Sequence, residues 1–229
     1  MHWNALPALL ARSGITLEPE AVACLERLRA LILEANERLN LTRITEEAAF
    51  LEKHVLDSLL GLEGAPDEAS WVDIGSGGGF PGLAIAIARP RSRVLLVEAI
   101  QKKASFLEEA AGALGLGNVS VAAERAEEAA RTRRDSFDRA AIRAVGTVSL
   151  CLEYALPFVR PGGEAVLYRG SEEEESAARV ASLLGGGEPR VREHVLPSGE
   201  KRRIVFVPKV APTPERFPRR TGVAAKRPL

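Results

Sequence analysis

The stretch Trp71-Val72-Asp73-Ile74-Gly75-Ser76-Gly77-Gly78-Gly79-Phe80-Pro81-Gly82 limits what this chain can fold into more than any other. A short apolar run opens it, glycines crowd its middle, and Leu83-Ala84-Ile85-Ala86-Ile87-Ala88 continues with the character of a buried helix. Strand, tight turn and helix in that order make a nucleotide-binding unit. Glycines are needed because the backbone must enter conformations closed to residues with a Cβ, and because a ligand can then lie against bare main chain. Gly77, Gly79 and Gly82 fit the spacing G-x-G-x-x-G, and Gly75, Gly77 and Gly79 fit a second, evenly spaced form. Arg93-Val94-Leu95-Leu96-Val97 reads as the next buried strand and ends in Glu98, where a carboxylate can accept from ribose hydroxyls. Asp73, Gly75, Gly77 and Glu98 are therefore candidate contacts to an adenosine-type ligand.

From Trp71 onward short apolar strands alternate with helices, as in a mostly parallel sheet covered on both faces. Gln101–Leu114 reads as a helix, Val119–Ala122 as a third strand, and Phe137–Ile142, closed by Arg143, as a fourth. Val148–Val159 reads as a helix, Pro161-Gly162-Gly163 as a turn into the strand Glu164–Tyr168, and Glu172–Leu184 as a polar helix. Arg190–Leu196 and Arg202–Val207 alternate with period two around Pro197-Ser198-Gly199-Glu200, which predicts a hairpin. The expected fold is Rossmann-like α/β, a seven-stranded, mostly parallel sheet ending in an antiparallel hairpin.

A helical N-terminal subdomain is expected over residues 1–66, ahead of the sheet domain at 67–208. Val22, Leu25, Leu28, Ile32, Ala35 and Leu39 recur at helical steps, and Asn40-Leu41-Thr42 breaks the run. Thr45 is placed to cap the next helix, with Glu46 and Glu47 in its first turn and Phe50, Leu51, His54, Val55 and Leu59 on one face. His54 and Asp57 are helical neighbours, expected as a buried histidine held by a carboxylate.

Thirty-one basic and 31 acidic residues cancel, so a nucleic-acid partner must be met by a local patch. Cys24 and Cys151 lack metal-ligand spacing, so no metal site is expected. Without a leader-like N-terminus or a run of about 20 apolar residues, the expectation is a soluble, cytoplasmic protein, taken as a monomer. Residues 209–229 are proline-containing and basic. From Lys201 onward nine basic residues face Glu215 alone, so this end is expected as an extended arm suited to phosphates.

Dehydrogenases and methyltransferases both use such a glycine loop. After the seventh strand only about 20 residues remain, too few for the substrate region a dehydrogenase needs. The evenly spaced glycines suit the amino-acid end of S-adenosylmethionine, which favours methyl transfer. Exocyclic amines are commonly methylated from an Asn/Asp-Pro-Pro-aromatic turn, which is missing here, and carbon-5 of pyrimidines needs an exposed cysteine, whereas Cys151 sits in an apolar helix. A ring nitrogen with its own lone pair needs only positioning in line with the methyl group.

Asn40-Leu41-Thr42, Lys53-His54-Val55-Leu56-Asp57-Ser58, the glycine loop, Lys102-Lys103-Ala104-Ser105-Phe106-Leu107, Arg125-Ala126-Glu127-Glu128, Arg143-Ala144 and Phe217-Pro218-Arg219-Arg220-Thr221-Gly222 follow one another in an order that resembles the bacterial small-subunit ribosomal RNA guanine-N7 methyltransferases, once called glucose-inhibited division protein B. The resemblance spans nearly the whole chain. It implies the Rossmann-like class I S-adenosylmethionine-dependent methyltransferase fold and methylation of a guanine in the decoding region of 16S ribosomal RNA, free or within the small ribosomal subunit. It places the cofactor on Gly75, Phe80, Ala126, Glu127 and Arg143. Arg143 is also the candidate for positioning, since an arginine ending a central strand must meet a carboxylate, a ligand or a phosphate. Arg169-Gly170 stands where the family has Lys-Gly. Lys102, Lys103, Arg169, Lys201, Arg219 and Arg220 are the RNA-binding candidates. Methylation of a small molecule or protein, and a non-catalytic assembly role on RNA, are the alternatives.

Overall fold

Pro19 can open the chain's longest helix because the missing N–H of a first-turn proline costs no hydrogen bond, and Asn40 can close it because asparagine tolerates the left-handed conformation. A computed structural model, describing residues 2–170 and 177–229, places α1 at Leu6–Ala11 and α2 at Pro19–Leu39, with Asn40 at φ 49°. Leu25, Leu28 and Ile32 of α2 are buried against α5 (Gly82–Ala88) and α6 (Gln101–Leu114). The N-terminal helices therefore share one apolar core with the sheet.

The segment between them departs from expectation at its start. Glu46, not Thr45, caps α3 (Glu47–Phe50), its carboxylate accepting from Ala48 N at 3.0 Å and Ala49 N at 2.7 Å. A glutamate can do this because its longer arm reaches back over the turn. A π turn over Leu51–Leu56 then leads into α4 (Asp57–Leu60). Such widened turns are frequent at functional sites.

The sheet runs β3-β2-β1-β4-β5-β7-β6, from Val119–Ala122, Arg93–Val97, Ser70–Ile74, Phe137–Arg143, Val159–Arg169, Lys201–Pro208 and Arg190–Val195 respectively. β1 to β5 pair in parallel, and β7 adds antiparallel to β5 and then to β6, as the hairpin pattern predicts. Period two sorts the side chains: Trp71, Val94 and Leu96 pack under the N-terminal helices, whereas Val72, Ile74, Leu95 and Val97 face α7 (Ala126–Thr132) and α8 (Val148–Ala155). Helix α8 is shorter than predicted. It stops at Ala155, and β5 starts at Val159 with a register shift between Phe137 and Arg139 that loops out the Pro161-Gly162-Gly163 segment. Only the Ala177–Leu183 part of the predicted polar helix is described, as α9; residues 171–176 lie outside the described residues.

The C-terminal segment is not an extended arm. Lys209, Thr213, Phe217 and Ala224 are buried, and Val223–Lys226 forms α10 beside α8. Arg134 donates to the carbonyls of Thr213, Pro214 and Phe217. Arg219 forms a two-pronged ion pair with Glu153, a carboxylate with no exposed surface in the apolar helix α8 (2.5 and 2.8 Å). The positive charge of the tail is thus partly met from inside the protein.

This pair is unequal, because Arg219 can turn to water and Glu153 cannot. Arg219→Ala should cost about 3 kcal/mol by stranding a buried charge, and Glu153→Gln clearly less. Urea denaturation of both variants checks the order; equal losses would show that Glu153 is solvated when the tail leaves.

Candidate functional site

In an open α/β sheet, ligands bind beyond the strand C-termini where strand order reverses. Here that point lies between β1 and β4, with the glycine loop on one side and Arg143 on the other. Gly75 and Gly77 hold φ 72° and 54°, which side chains with a Cβ rarely adopt. Gly75 N and Ser76 N donate to Val97 O at 2.8 and 3.2 Å, and Gly77 N donates to Glu98 Oε2 at 2.9 Å. Gly82 serves packing: a Cβ there would stand 2.2 Å from the Leu96 side chain.

Asp73 is fully enclosed. Its Oδ2 accepts from Gly82 N at 2.9 Å, while Oδ1 is buried without a hydrogen-bond partner. Burial pushes its carboxyl up to about 6, against the Gly82 N–H and the nearby Arg143 charge. Glu98 uses its other oxygen on Ile100 N (2.8 Å), so it shapes the loop while each oxygen keeps a second lone pair. Ala126 begins α7. Glu127 is buried, its carboxylate accepting from Gly222 N at 2.9 Å and Tyr154 OH at 3.3 Å, and Tyr154 is pushed up to about 12 by burial and that carboxylate.

Phe80 and Arg143 belong to a second group. Arg143 donates to Asp57 Oδ2 (3.2 Å), Lys53 O (3.0 Å) and His54 Nδ1 (3.3 Å), with its guanidinium 5.6 Å from the centre of the Phe80 ring. The carboxylate that Arg143 needs is Asp57. His54 is therefore not held by Asp57 as expected: it stacks on Phe80 at 5.1 Å and meets Thr42 Oγ1 at 2.7 Å. Burial, then the Arg143 charge, pushes the imidazole down to about 3.

Beside this group opens a cleft of about 470 Å³, lined by Ile44, His54, Asp57, Ala144, Tyr168 and Gly170 together with the cations Lys53, Arg143, Arg169 and Arg202. Arg169, a predicted RNA contact, is in its wall. Lys201 is exposed on the adjoining hairpin, Lys102 and Lys103 start α6 just after Glu98, and Arg220 is exposed on the tail, while Arg219 is engaged by Glu153. Lys53 and Arg202 are missing from the sequence-derived set. Lys53 stood in a recognised block without a role, and Arg202 enters only because the hairpin folds back onto α4, where its Nε lies 3.4 Å from Asp57. Ile100, 52% exposed beside Glu98, also lies next to the loop and is missing from the sequence-derived set.

The model of the rRNA small subunit methyltransferase G family, GidB, matches residues 21–187. The chain belongs to this family. The ribosomal RNA small subunit methyltransferase G of Synechococcus elongatus is 48% identical over 208 residues, 86% of each chain. That of Moorella thermoacetica is 42% identical over 233 residues, covering 98% of this chain and 97% of its own. Among solved structures, cofactor-bound Rv0187 from MTB superposes with a TM-score of 0.57 at 22% identity over 81% of this chain and 91% of its own. A 16S rRNA (adenine(1408)-N(1))-methyltransferase variant from Catenulisporales acidiphilia gives 0.53 at 18% identity, over 64% of this chain and 87% of its own. These likenesses show the fold. Membership of the family, with relatives 42% and 48% identical, makes this chain an S-adenosylmethionine-dependent rRNA methyltransferase.

Gly75→Val should abolish S-adenosylmethionine binding in titration calorimetry, since a branched side chain is strained at φ 72° and its Cβ already meets Val145 at 3.2 Å. Wild-type affinity in that variant would move the cofactor elsewhere. Deleting Pro218–Leu229 removes Gly222 from Glu127, where the adenine end is expected. Cofactor affinity should fall about tenfold, as for one lost hydrogen bond to a charged group; unchanged affinity would separate the tail from that pocket.

Proposed function

We propose that the protein transfers the methyl group of S-adenosylmethionine to N7 of a guanine in the decoding region of 16S ribosomal RNA. The observation carrying this reading is the cationic cleft at the end of β4, beside the glycine loop. The residues present fit the cofactor. Gly75 and Gly77 offer bare backbone, Asp73 Oδ1 is a buried acceptor lacking a donor, and Glu98 keeps acceptor capacity. Asp73, Gly75, Gly77, Glu98, Ala126 and Glu127 would hold it, with Phe80 and Arg143 bordering its reactive end and Ile100 giving an apolar surface to its base. When bound it supplies an electrophilic methyl on a sulfonium.

The rest falls to the protein's own groups. A ring nitrogen with a free lone pair loses no proton, so the acceptor side needs orientation rather than a base. Neutral His54, engaged on both nitrogens, and Asp57, engaged by Arg143 and Arg202, suit a site that orients without taking protons. Lys53, Arg169, Arg202 and the exposed Lys201 supply positive charge where the RNA backbone would pass, and Lys102, Lys103 and Arg220 extend it on the cofactor and tail sides. We place the protein in the cytoplasm as a monomer acting without a metal ion.

Incubation with labelled S-adenosylmethionine and either naked 16S RNA or small subunits, followed by nucleoside mass spectrometry, should yield 7-methylguanosine. A methyl on carbon-5, an exocyclic amine or a ribose oxygen would refute the N7 reading, and absence of label from every RNA fraction would favour a small-molecule, protein or non-catalytic role. Lys53→Ala and Arg169→Ala should each flatten the log–log salt dependence of RNA binding by about 0.7, as for one single-strand phosphate contact.

A further inference from the structure

Hydrogen-bond donors and acceptors join α2 to the end of β4 in an unbroken line. Asn36 of α2 locks the following turn from both sides, its amide donating to Thr42 O at 3.0 Å and its oxygen accepting from Thr42 N at 2.8 Å. Thr42 Oγ1 accepts from Ile44 N at 3.0 Å and lies 2.7 Å from His54 Nε2, while His54 Nδ1 faces Arg143 at 3.3 Å. A guanidinium can only donate, so Nδ1 must be bare and the proton must sit on Nε2, directed at Thr42. Leu41 of the same turn packs on the cofactor loop, 3.4 Å from where a Cβ of Gly78 would lie.

We propose that Thr42 and His54 are positioning residues for methyl transfer: Thr42 fixes the Nε2–H tautomer of His54, and the bare Nδ1 then holds the Arg143 guanidinium at the mouth of the acceptor cleft. The inference rests on rRNA methyl transfer as the activity of this site. Asp57 and Lys53 O anchor one guanidinium nitrogen; His54 fixes the other, and with it the plane of the group. The ring keeps this tautomer at working pH because burial and the Arg143 charge hold the imidazole far below neutrality. The helical N-terminal segment thereby contributes to the geometry of the reaction as well as to the core.

Paired substitutions in the full chain separate positioning from folding. His54→Asn keeps an acceptor near the Nδ1 position, and His54→Gln keeps only a group near Nε2. The Gln variant should lose about one to two orders of magnitude in kcat on ribosomal RNA, as for a misplaced catalytic group, with the Asn variant less impaired. Thr42→Val should lower kcat similarly and Thr42→Ser restore it, while cofactor Kd and melting temperature stay near wild type. In a long-range proton–nitrogen correlation spectrum of the wild type, His54 should appear as the Nε2–H tautomer. An Nδ1–H tautomer, or equal kcat in the Gln and Asn variants, would overturn the relay. Losses of kcat that simply follow loss of melting temperature would reduce it to packing. Wild-type protein that methylates no RNA would instead sink the functional reading on which the relay stands.

Discussion

The ion pair between Arg143 and Asp57 is the constraint around which the working end of this protein is arranged. Arg143 closes β4 and Asp57 opens α4, so the pair ties the helical segment to the sheet at the strand C-termini. Its side chains are 16% and 6% exposed, and at such burial the cost of stripping water from both ions roughly cancels their attraction. The pair therefore adds little to net stability and much to geometry. Burial raises the Asp57 carboxyl while Arg143 and Arg202 act against it, so a buried carboxylate stays matched to two cations. Stability comes from the apolar clusters on the two faces of the sheet. Trp71, Leu83 and Leu107 join the N-terminal helices on one, and Ile142, Leu152 and Phe217 join the tail on the other.

That division explains why neither end of the chain can be treated as an appendage. The N-terminal helices cover one face and bring Lys53, His54 and Asp57 to the cationic cleft, with Thr42 behind His54. The tail covers the other and closes on Glu127 and Glu153. The strand order sets the glycine loop after β1 and the cationic cleft at the ends of β4 and β5; the N-terminal segment touches both, through Leu41 and Lys53, and the tail meets the start of α7 at Glu127.

Elements whose signal is local could be read from sequence. The buried strands were short, mostly apolar runs, and the glycine loop and Glu98 followed one another at a fixed spacing. Most of what escaped depended on partners distant in sequence. The nine basic residues from Lys201 onward looked like a free arm, because a count of charge does not show that Glu153, buried in the apolar helix α8, would demand Arg219. A carboxylate between Leu152 and Tyr154 was the available clue. Arg202 and Lys53 became cleft residues only once the hairpin had closed onto α4, and Glu46 replaced Thr45 as a cap through local reach that residue preference does not encode.

The charge balance of the site also follows the proposed N7 chemistry. A cleft bearing Lys53, Arg143, Arg169 and Arg202 attracts RNA but would repel a sulfonium, a cation itself, were it not for the carboxylates set between them. Asp57 offsets Arg143 and Arg202, Glu200 offsets Lys53 at 2.7 Å, and Asp73 and Glu98 lie on the cofactor side. In the proposed reaction, methyl transfer would move the positive charge from sulfur to the guanine ring. The cleft would then face a neutral base with its phosphates before the step and a cationic base, which the same side chains disfavour, after it. An arrangement that holds substrate by its backbone and repels the product ring needs no group that changes protonation, which is consistent with His54 being kept neutral and engaged on both nitrogens.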